Sequence, residues 1–444
     1  MNSSITLIVF IILLCLIIRQ IKVWKWRCLI SPGFYFGALW ILGVLGSDVF
    51  SKVGFLPLTY PEYLDELNIY VGFTGFCFLL FTKRGRCLVN ENGAIFNFIP
   101  NFTVFSLLSI VTLLVALITF VSSGASFDMG QNRSVVHDTV RNQSNIVGYF
   151  QILSTVLSIC SGYVYGKFFI GKLNLSLLKK IILILPIMSG LVYSIYLGGR
   201  VNFIYAICDC VIGFSLAIPL MPSKKISRKI IATCLALGLL ISFFISAVAA
   251  QRQETHGGSS HLFTEVTADN ILLKVLYGPV EYMTSSYIGY QYRRDDFVDL
   301  NNLGYGSYTF NGFINWTLPF SSSLGLGDAS IAKTCGIYHR AQESYDFERL
   351  FYYTTHSCYI PIVQDFGTIG AFPFIFLLVY ISHRLFINIQ RRKFIKHACS
   401  FFIFYLFLNY WLKSNYYGYL MNSVLIVLYG FLFIDIINYF LKKE

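Results

Sequence analysis

The sequence predicts an all-α polytopic membrane protein with about eleven transmembrane helices (roughly ten to twelve), and three observations support this fold class. Hydrophobic residues make up 56% of the 444 residues, and charged residues make up only 13%. A soluble domain carries about 25% charged residues, so this chain has too few charges to cover soluble domains of its length. The apolar residues form long stretches, and the basic residues between them alternate between two sets of loops.

The apolar stretches define the predicted spans, since a helix needs about 20 mostly apolar residues to cross a bilayer. The predicted spans cover residues 4–21, 28–47, 67–82, 101–121, 146–166, 181–199, 201–221, 230–250, 366–384, 398–412 and 417–440. Another apolar stretch, 271–292, contains Lys274, Pro279 and Glu281 and predicts an interfacial or re-entrant helix. The chain is expected to consist of three segments: about eight spans in 1–250, one long loop in 251–365 and about three spans in 366–444.

The distribution of charge predicts how the chain is oriented in the membrane. About two thirds of the 34 Lys and Arg residues lie in alternate loops whose only acidic residues are Glu91 and Glu444. Because basic residues concentrate on the cytoplasmic side, we expect a multi-pass protein of the bacterial inner membrane. Its N-terminus would be periplasmic and its C-terminus cytoplasmic. The net charge of +12 then reflects topology and does not indicate binding to nucleic acid.

The long loop, 251–365, is expected on the periplasmic side and to be largely helical. A loop of this length is uncommon unless it has its own structure and a function. It is rich in tyrosine and contains charges of both signs. Aromatic rings stack on the C–H faces of sugars, but Tyr and Trp also concentrate at membrane interfaces. Both explanations stay open for any single residue, and the density of tyrosine along the whole loop favours sugar binding.

The sequence lacks the common motifs of nucleotide and metal sites. It contains no P-loop, no GxGxxG at the start of a helix, no HExxH and no metal-type spacing among its 11 cysteines. These absences argue against an ATP-driven pump and a nucleotide-sugar transferase, and we predict no cofactor and no metal site. Cys335 and Cys358 are the only cysteines in the outer loops, where either a disulfide or two free thiols would be consistent with the pattern.

Arginines at the outer ends of predicted spans are candidate phosphate ligands. Arg200 ends the turn Leu197-Gly198-Gly199-Arg200, and Arg252 follows directly on a span. A guanidinium group presents five donors in a fork that suits phosphate oxygens. The alternative is that these side chains extend to the interface or form local ion pairs. Four further arginines of the outer loops are candidate substrate-binding residues: Arg133, Arg141, Arg293 and Arg294.

The end of the long loop contains another group of candidate residues. Residues 352–359 read YYTTHSCY, and residues 364–370 read QDFGTIG immediately before a span. A histidine titrates near neutral pH and can act as a general base, so His356 is a candidate catalytic residue, with a structural role as the alternative. Tyr353 and Asp365 are candidate substrate contacts. Asp209 lies within a predicted span, where an ion path and structural pairing are both open.

This layout resembles the O-antigen polymerase and O-antigen ligase superfamily, and within it the oligosaccharide repeat-unit polymerases. Residues 197–200 resemble the Ser-Arg-Gly-type turn of that superfamily, with Gly199 in place of Ser and Val201 in place of Gly. Residues 356–370 resemble its His-Asn-x-[Phe/Tyr]-Leu…Gly-x-x-Gly segment, with Ser357 in place of Asn. The resemblance covers the layout of the whole chain, but its motifs are short and degenerate.

The resemblance implies a GT-C-type glycosyltransferase that acts without a metal on undecaprenyl-diphosphate-linked oligosaccharides at the periplasmic face. In this interpretation, Arg200 and Arg252 stabilise charge on the diphosphate, and His356 deprotonates or orients the acceptor hydroxyl. The expected partners are the lipid-linked substrates, the lipid bilayer and a chain-length regulator protein. The alternatives are an O-antigen ligase and a lipid-linked oligosaccharide transporter or flippase.

Overall fold

The part of the chain that the structure describes is all-helical, and its long apolar helices are those of a polytopic membrane protein. The structure, a computed structural model, describes residues 4–52, 61–82, 101–127, 146–196, 201–218, 357–390, 398–414 and 423–436, together with most of 228–244 and some positions between 284 and 310. These residues form helices and no strand. Six helices are long and apolar enough to cross a membrane by length and composition, and shorter apolar helices are also present.

The helices lie on the stretches that the sequence predicts, although several bounds differ. In chain order they are α1 (Ser4–Trp24), α2 (Pro32–Lys52), α3 (Pro61–Thr82), α4 (Phe102–Ser122), α5 (Ile146–Phe169), α6 (Leu177–Ile182), α7 (Leu185–Tyr196), α8 (Val201–Ala217), α9 (Tyr359–Gln390), α10 (Ala398–Lys413) and α11 (Ser423–Gly430). A 3₁₀ helix, Lys25–Ile30, follows α1, an apolar helix, Ile230–Phe244, follows α8, and a π-helical segment, Phe431–Ile436, follows α11. The number of helices that cross the membrane stays a prediction.

The helices belong to two compact units that do not follow chain order. The first unit comprises Met1–Asn90, Val280–Phe394 and Ser400–Val424. It therefore contains α1, α2, α3, α9 and most of α10, and it draws residues from all three predicted segments. The second unit comprises Glu91–Pro279, Ile395–Cys399 and Leu425–Glu444.

In the first unit, hydrogen bonds between polar side chains set the register of α1 and α3. Asn68 Nδ2 donates to Thr6 Oγ1 at 3.2 Å near one end, and Gln20 Nε2 donates to Thr82 Oγ1 at 2.8 Å near the other end. The two helices consequently run in the same direction. Ser31, just before α2, donates to Gln20 Oε1 at 2.8 Å. Such bonds hold apolar helices in one arrangement, because an unpaired polar group costs free energy in a membrane interior.

Two tryptophans connect α2, α9 and α10 in the core of the first unit. The indole N–H of Trp40 donates to Ser414 Oγ at 3.0 Å, and that of Trp411 donates to Ser382 Oγ at 2.8 Å. Both rings are fully buried. A buried indole normally has a partner for its single donor, so these bonds specify how the aromatic residues pack.

In the second unit, α5 and α8 approach until their backbones are in contact. Gly162 and Gly166 have the GxxxG spacing on α5, and Gly213 lies on α8. A Cβ atom at Gly162 would overlap the carbonyl of Cys210, and a Cβ atom at Gly213 would overlap the carbonyl of Ile159. Small residues permit this close approach, which is a common way for helices to associate in membranes.

Candidate functional site

Helix α9 is interrupted at Gly367, inside the QDFGTIG segment. Gly367 has φ 70° and ψ 172°, a backbone conformation that residues with a Cβ atom rarely adopt. The interruption ends the short helical run that begins at Tyr359. The carbonyl groups of its last turn therefore lose their partners within the helix.

The backbone of the long loop supplies new partners for these carbonyl groups. The N–H of Gly304 donates to the carbonyl of Gln364 at 3.0 Å, and the N–H of Tyr305 donates to the carbonyl of Asp365 at 3.0 Å. These amides take the place of the helical donors that the interruption removes, because a buried backbone carbonyl requires a partner. The loop is thereby attached to the start of α9.

The carboxylate of Asp365 accepts further hydrogen bonds from the same loop. The N–H of Tyr308 donates to Oδ1 at 3.1 Å, and the N–H of Thr309 donates to Oδ2 at 2.7 Å. Asp365 is fully buried, so these charge-assisted bonds offset part of the cost of removing the carboxylate from water. A Cβ atom at Gly304 would overlap Asp365 Oδ1 and the ring of Tyr308, so only glycine permits this approach.

Two neighbours of Asp365 strengthen the attachment of the loop. The side chain of Gln364 accepts a hydrogen bond from the N–H of Asp299 at 2.6 Å. The ring of Phe366 stacks on Phe374 with centroids 4.3 Å apart, and Phe310 of the loop meets Phe374 edge-on at 5.9 Å. Gln364 and Asp365 thus bind the loop directly, and Phe366 stacks on the ring that Phe310 of the loop contacts.

An ion pair forms a second attachment of the long loop, to α3. Arg294 Nε lies 3.1 Å from Glu66 Oε2, and Arg294 Nη2 lies 3.4 Å from Glu66 Oε1. The Arg294 guanidinium also lies over the ring of Tyr63, 5.5 Å from its centroid. The side chains of Arg294 and Glu66 are 12% and 17% exposed, so solvent screens this pair less than a surface ion pair.

The environment of the ion pair favours a charged guanidinium beside a neutral phenol. Burial lowers the pKa of Arg294, but the hydrogen bonds and charge of Glu66 outweigh burial and hold this pKa above its ordinary value. Burial raises the pKa of the Tyr290 phenol well above its ordinary value, and the Glu66 carboxylate raises it further. Arg294 is consequently cationic and Tyr290 neutral at physiological pH.

A tyrosine connects the ion pair with the interrupted helix. The Tyr70 hydroxyl lies 3.3 Å from Glu66 Oε1 and 3.1 Å from the carbonyl oxygen of Thr368, so its single proton has two acceptors within hydrogen-bonding distance. Thr368 directly follows Gly367. The Tyr70 ring also stacks on Tyr359, the first residue of α9, at 5.6 Å. The two attachments of the loop therefore belong to one connected group of side chains in the first unit.

Two of the predicted site residues lie in the part of the chain that the structure describes, and both occur in this group. Arg294 binds Glu66, and Asp365 binds backbone amides of the loop. Their predicted contacts with substrate remain predictions. Seven other predicted site residues lie outside the described residues: Arg133, Arg141, Arg200, Arg252, Arg293, Tyr353 and His356.

Sequence reasoning did not single out the partners that give this site its geometry. Glu66, Tyr70 and Gly304 carry no local sequence pattern that marks them as site residues. The QDFGTIG segment carried the available signal, since an acid and two glycines at the start of a span are unusual. Nothing in the sequence indicates that Glu66 would meet an arginine 228 positions away.

Three other predictions concern described residues. Asp209 lies in α8 and is almost fully buried. Helix α8 is one of the shorter apolar helices, and its predicted crossing of the membrane stays a prediction. Cys358 is buried with a free thiol, and Cys335 lies outside the described residues. Across the described part of the chain, no group of three or more His, Cys, Asp or Glu side chains is arranged to hold a metal ion.

Comparison of the chain with models of protein families, with characterised proteins and with solved structures found no match. The class of the protein rests on its fold: the described helices, several of them long and apolar enough to cross a membrane, define a polytopic membrane protein.

Proposed function

We propose that this protein is a GT-C-type polysaccharide polymerase of the bacterial inner membrane, which joins undecaprenyl-diphosphate-linked oligosaccharide repeat units at the periplasmic face. Its N-terminus would be periplasmic and its C-terminus cytoplasmic. The observation that carries the proposal is the attachment of the long, tyrosine-rich loop to the interrupted start of α9. A polymerase of lipid-linked sugars needs such a junction, because sugar binds in the polar loop while the lipid tail stays among apolar helices.

The proposed reaction transfers the growing polysaccharide from its lipid carrier to a single lipid-linked repeat unit, so that the chain grows at its reducing end. A hydroxyl of a single lipid-linked repeat unit attacks the anomeric carbon of the polymer. The bond between this carbon and the phosphate oxygen breaks, and undecaprenyl diphosphate leaves. His356 would accept the proton of the attacking hydroxyl, and Arg200 and Arg252 would stabilise the charge that develops on the diphosphate.

The remaining candidate residues would bind the substrates around this centre. Arg133, Arg141 and Arg293 are proposed to contact diphosphate, and Tyr353 is proposed to contact sugar. Arg294 and Asp365 are proposed to contact the substrate at the two places where the loop is attached. Arg294 binds Glu66 through Nε and Nη2, and the other N–H groups of its guanidinium are proposed to donate to a substrate oxygen.

A gene deletion in the source bacterium tests the proposal, with lipopolysaccharide separated by size as the readout. A polymerase deletion leaves single repeat units on the lipid A core and removes the ladder of longer chains. Loss of all repeat units from the core would instead indicate a ligase. Accumulation of lipid-linked repeat units at the cytoplasmic face would indicate a transporter or flippase, and an unchanged ladder would reject all three functions.

A further inference from the structure

Tyr305 is held in a strained backbone conformation by the attachment of the loop to α9. Its φ is +50°, in the left-handed region that glycine adopts far more readily than tyrosine. Its N–H is bound to the carbonyl of Asp365, and its neighbour Gly306 has φ +94°. Glycine at position 305 would make the same backbone bond without the strain. The backbone therefore does not explain why position 305 carries a large side chain.

The side chain of Tyr305 does not serve the core of the first unit either. Tyr305 is 77% exposed, whereas Thr309 of the same turn is fully buried and Phe310 packs against Phe374. A strained residue that is fixed by its surroundings and displays its side chain is a feature of binding sites. The turn therefore exposes the Tyr305 ring to solvent while hydrogen bonds to α9 fix its backbone.

We propose that Tyr305 is a stacking platform for a pyranose ring of the lipid-linked oligosaccharide, an inference that rests on the proposed function. The face of an aromatic ring carries a partial negative charge and attracts the C–H groups of a sugar face. The phenol hydroxyl can also form hydrogen bonds with sugar hydroxyls. A membrane-interface tyrosine is the competing explanation. The sequence around Tyr305 favours the sugar, because it is rich in polar residues, with Asn301, Asn302 and Ser307 within four positions of the tyrosine.

The test uses full-length protein in detergent and glycan released by mild acid from the source strain's lipid-linked repeat units. The Kd of this glycan is measured by NMR titration for the wild type, Tyr305→Gly, Tyr305→Trp and Phe127→Ala. Tyr305→Gly removes the ring and keeps the backbone conformation. Phe127 is the matched control, because it is 76% exposed and is predicted to lie on the outer side of the membrane.

We expect Tyr305→Gly to raise the Kd about five- to tenfold, the size of effect of one aromatic contact, without lowering the melting temperature. Tyr305→Trp and Phe127→Ala should bind like the wild type. An unchanged Kd for Tyr305→Gly, or absence of glycan binding by the wild type, would overturn the proposal that Tyr305 stacks on a sugar ring. The proposed function would survive that result if the gene deletion still removed the polysaccharide ladder, so the two failures are distinguishable.

Discussion

Arg294 and Glu66 form a two-point ion pair although 228 positions separate them in the chain. The arginine belongs to the long loop, and the glutamate belongs to α3. The pair joins the loop to a helix that also contacts α9 through Tyr70. Together with the hydrogen bonds of Asp365, this ion pair determines where the loop packs against α3 and α9.

Glu66→Gln should lower the free energy of unfolding by about 1–3 kcal/mol, because Arg294 would lose its charged partner in a partly buried site. Asp65→Asn, a change at the neighbouring acid, is the matched control and should have little effect. Thermal unfolding of the protein in detergent measures both variants. Equal melting temperatures for the two variants would show that the ion pair does not hold the loop.

Asp365→Asn should destabilise the protein although the side chain keeps its shape. One carboxylate oxygen becomes an NH₂ group, which cannot accept the bond from the N–H of Tyr308 or Thr309. An unpaired buried donor costs about 1–3 kcal/mol. Asp299→Asn is the control, because Asp299 is exposed and accepts only a local bond from the N–H of Asn301 among the described contacts. If the two variants unfold at one temperature, the role assigned to the Asp365 carboxylate is wrong.

Gly304→Ala and Gly367→Ala should each disturb the junction, for different reasons. At position 304 the new methyl group meets the Asp365 carboxylate and the Tyr308 ring. At position 367 alanine would have to adopt a positive φ with an extended ψ, a conformation that is essentially restricted to glycine, at a cost of about 1–3 kcal/mol. Gly148→Ala is the control, since its methyl group would meet nothing within 4 Å and the position is helical. Melting temperatures below that of the control are expected for both variants, and values above it would contradict the close packing.

Arg200→Ala and Arg252→Ala should abolish long polysaccharide without loss of protein, because a fixed guanidinium would stabilise the departing diphosphate. The measurement is the lipopolysaccharide ladder of a deletion strain that expresses each variant, with protein quantified in the membrane fraction. Arg228→Ala removes a charge on the predicted cytoplasmic side and should restore a normal ladder. Normal ladders from the Arg200 and Arg252 variants would reject the phosphate-binding roles.

The helices were predictable because their signal is local. The composition of a stretch such as Ser4–Trp24 is enough to predict a membrane-spanning helix, without any information on the segments that pack against it. The break at Gly367 was not predicted, although the glycine stood in a segment already chosen as unusual. A glycine permits a left-handed conformation but does not require it, so the surrounding contacts decide whether the helix continues.

The candidate site was only partly predictable for a related reason. Arg294 and Asp365 stood out as charges in a chain that has few of them. Their partners did not, because Glu66 and the amides of Tyr308 and Thr309 meet these charges only after distant segments fold together. Side-chain type shows that a partner is needed, since buried charges must be paired, but it does not identify the partner.

By itself, the sequence determined that this chain is a helical, polytopic membrane protein. The apolar content and the length of the apolar stretches are local properties, which can be read directly from the sequence. Only the tertiary structure decided that the N-terminal helices α1, α2 and α3 share one unit with part of the long loop, with α9 and with most of α10. The tertiary structure also decided that this loop binds α3 and the interrupted α9. The physical reason is that each attachment satisfies buried charges or carbonyl groups, whose partners are chosen by proximity in space and not along the chain.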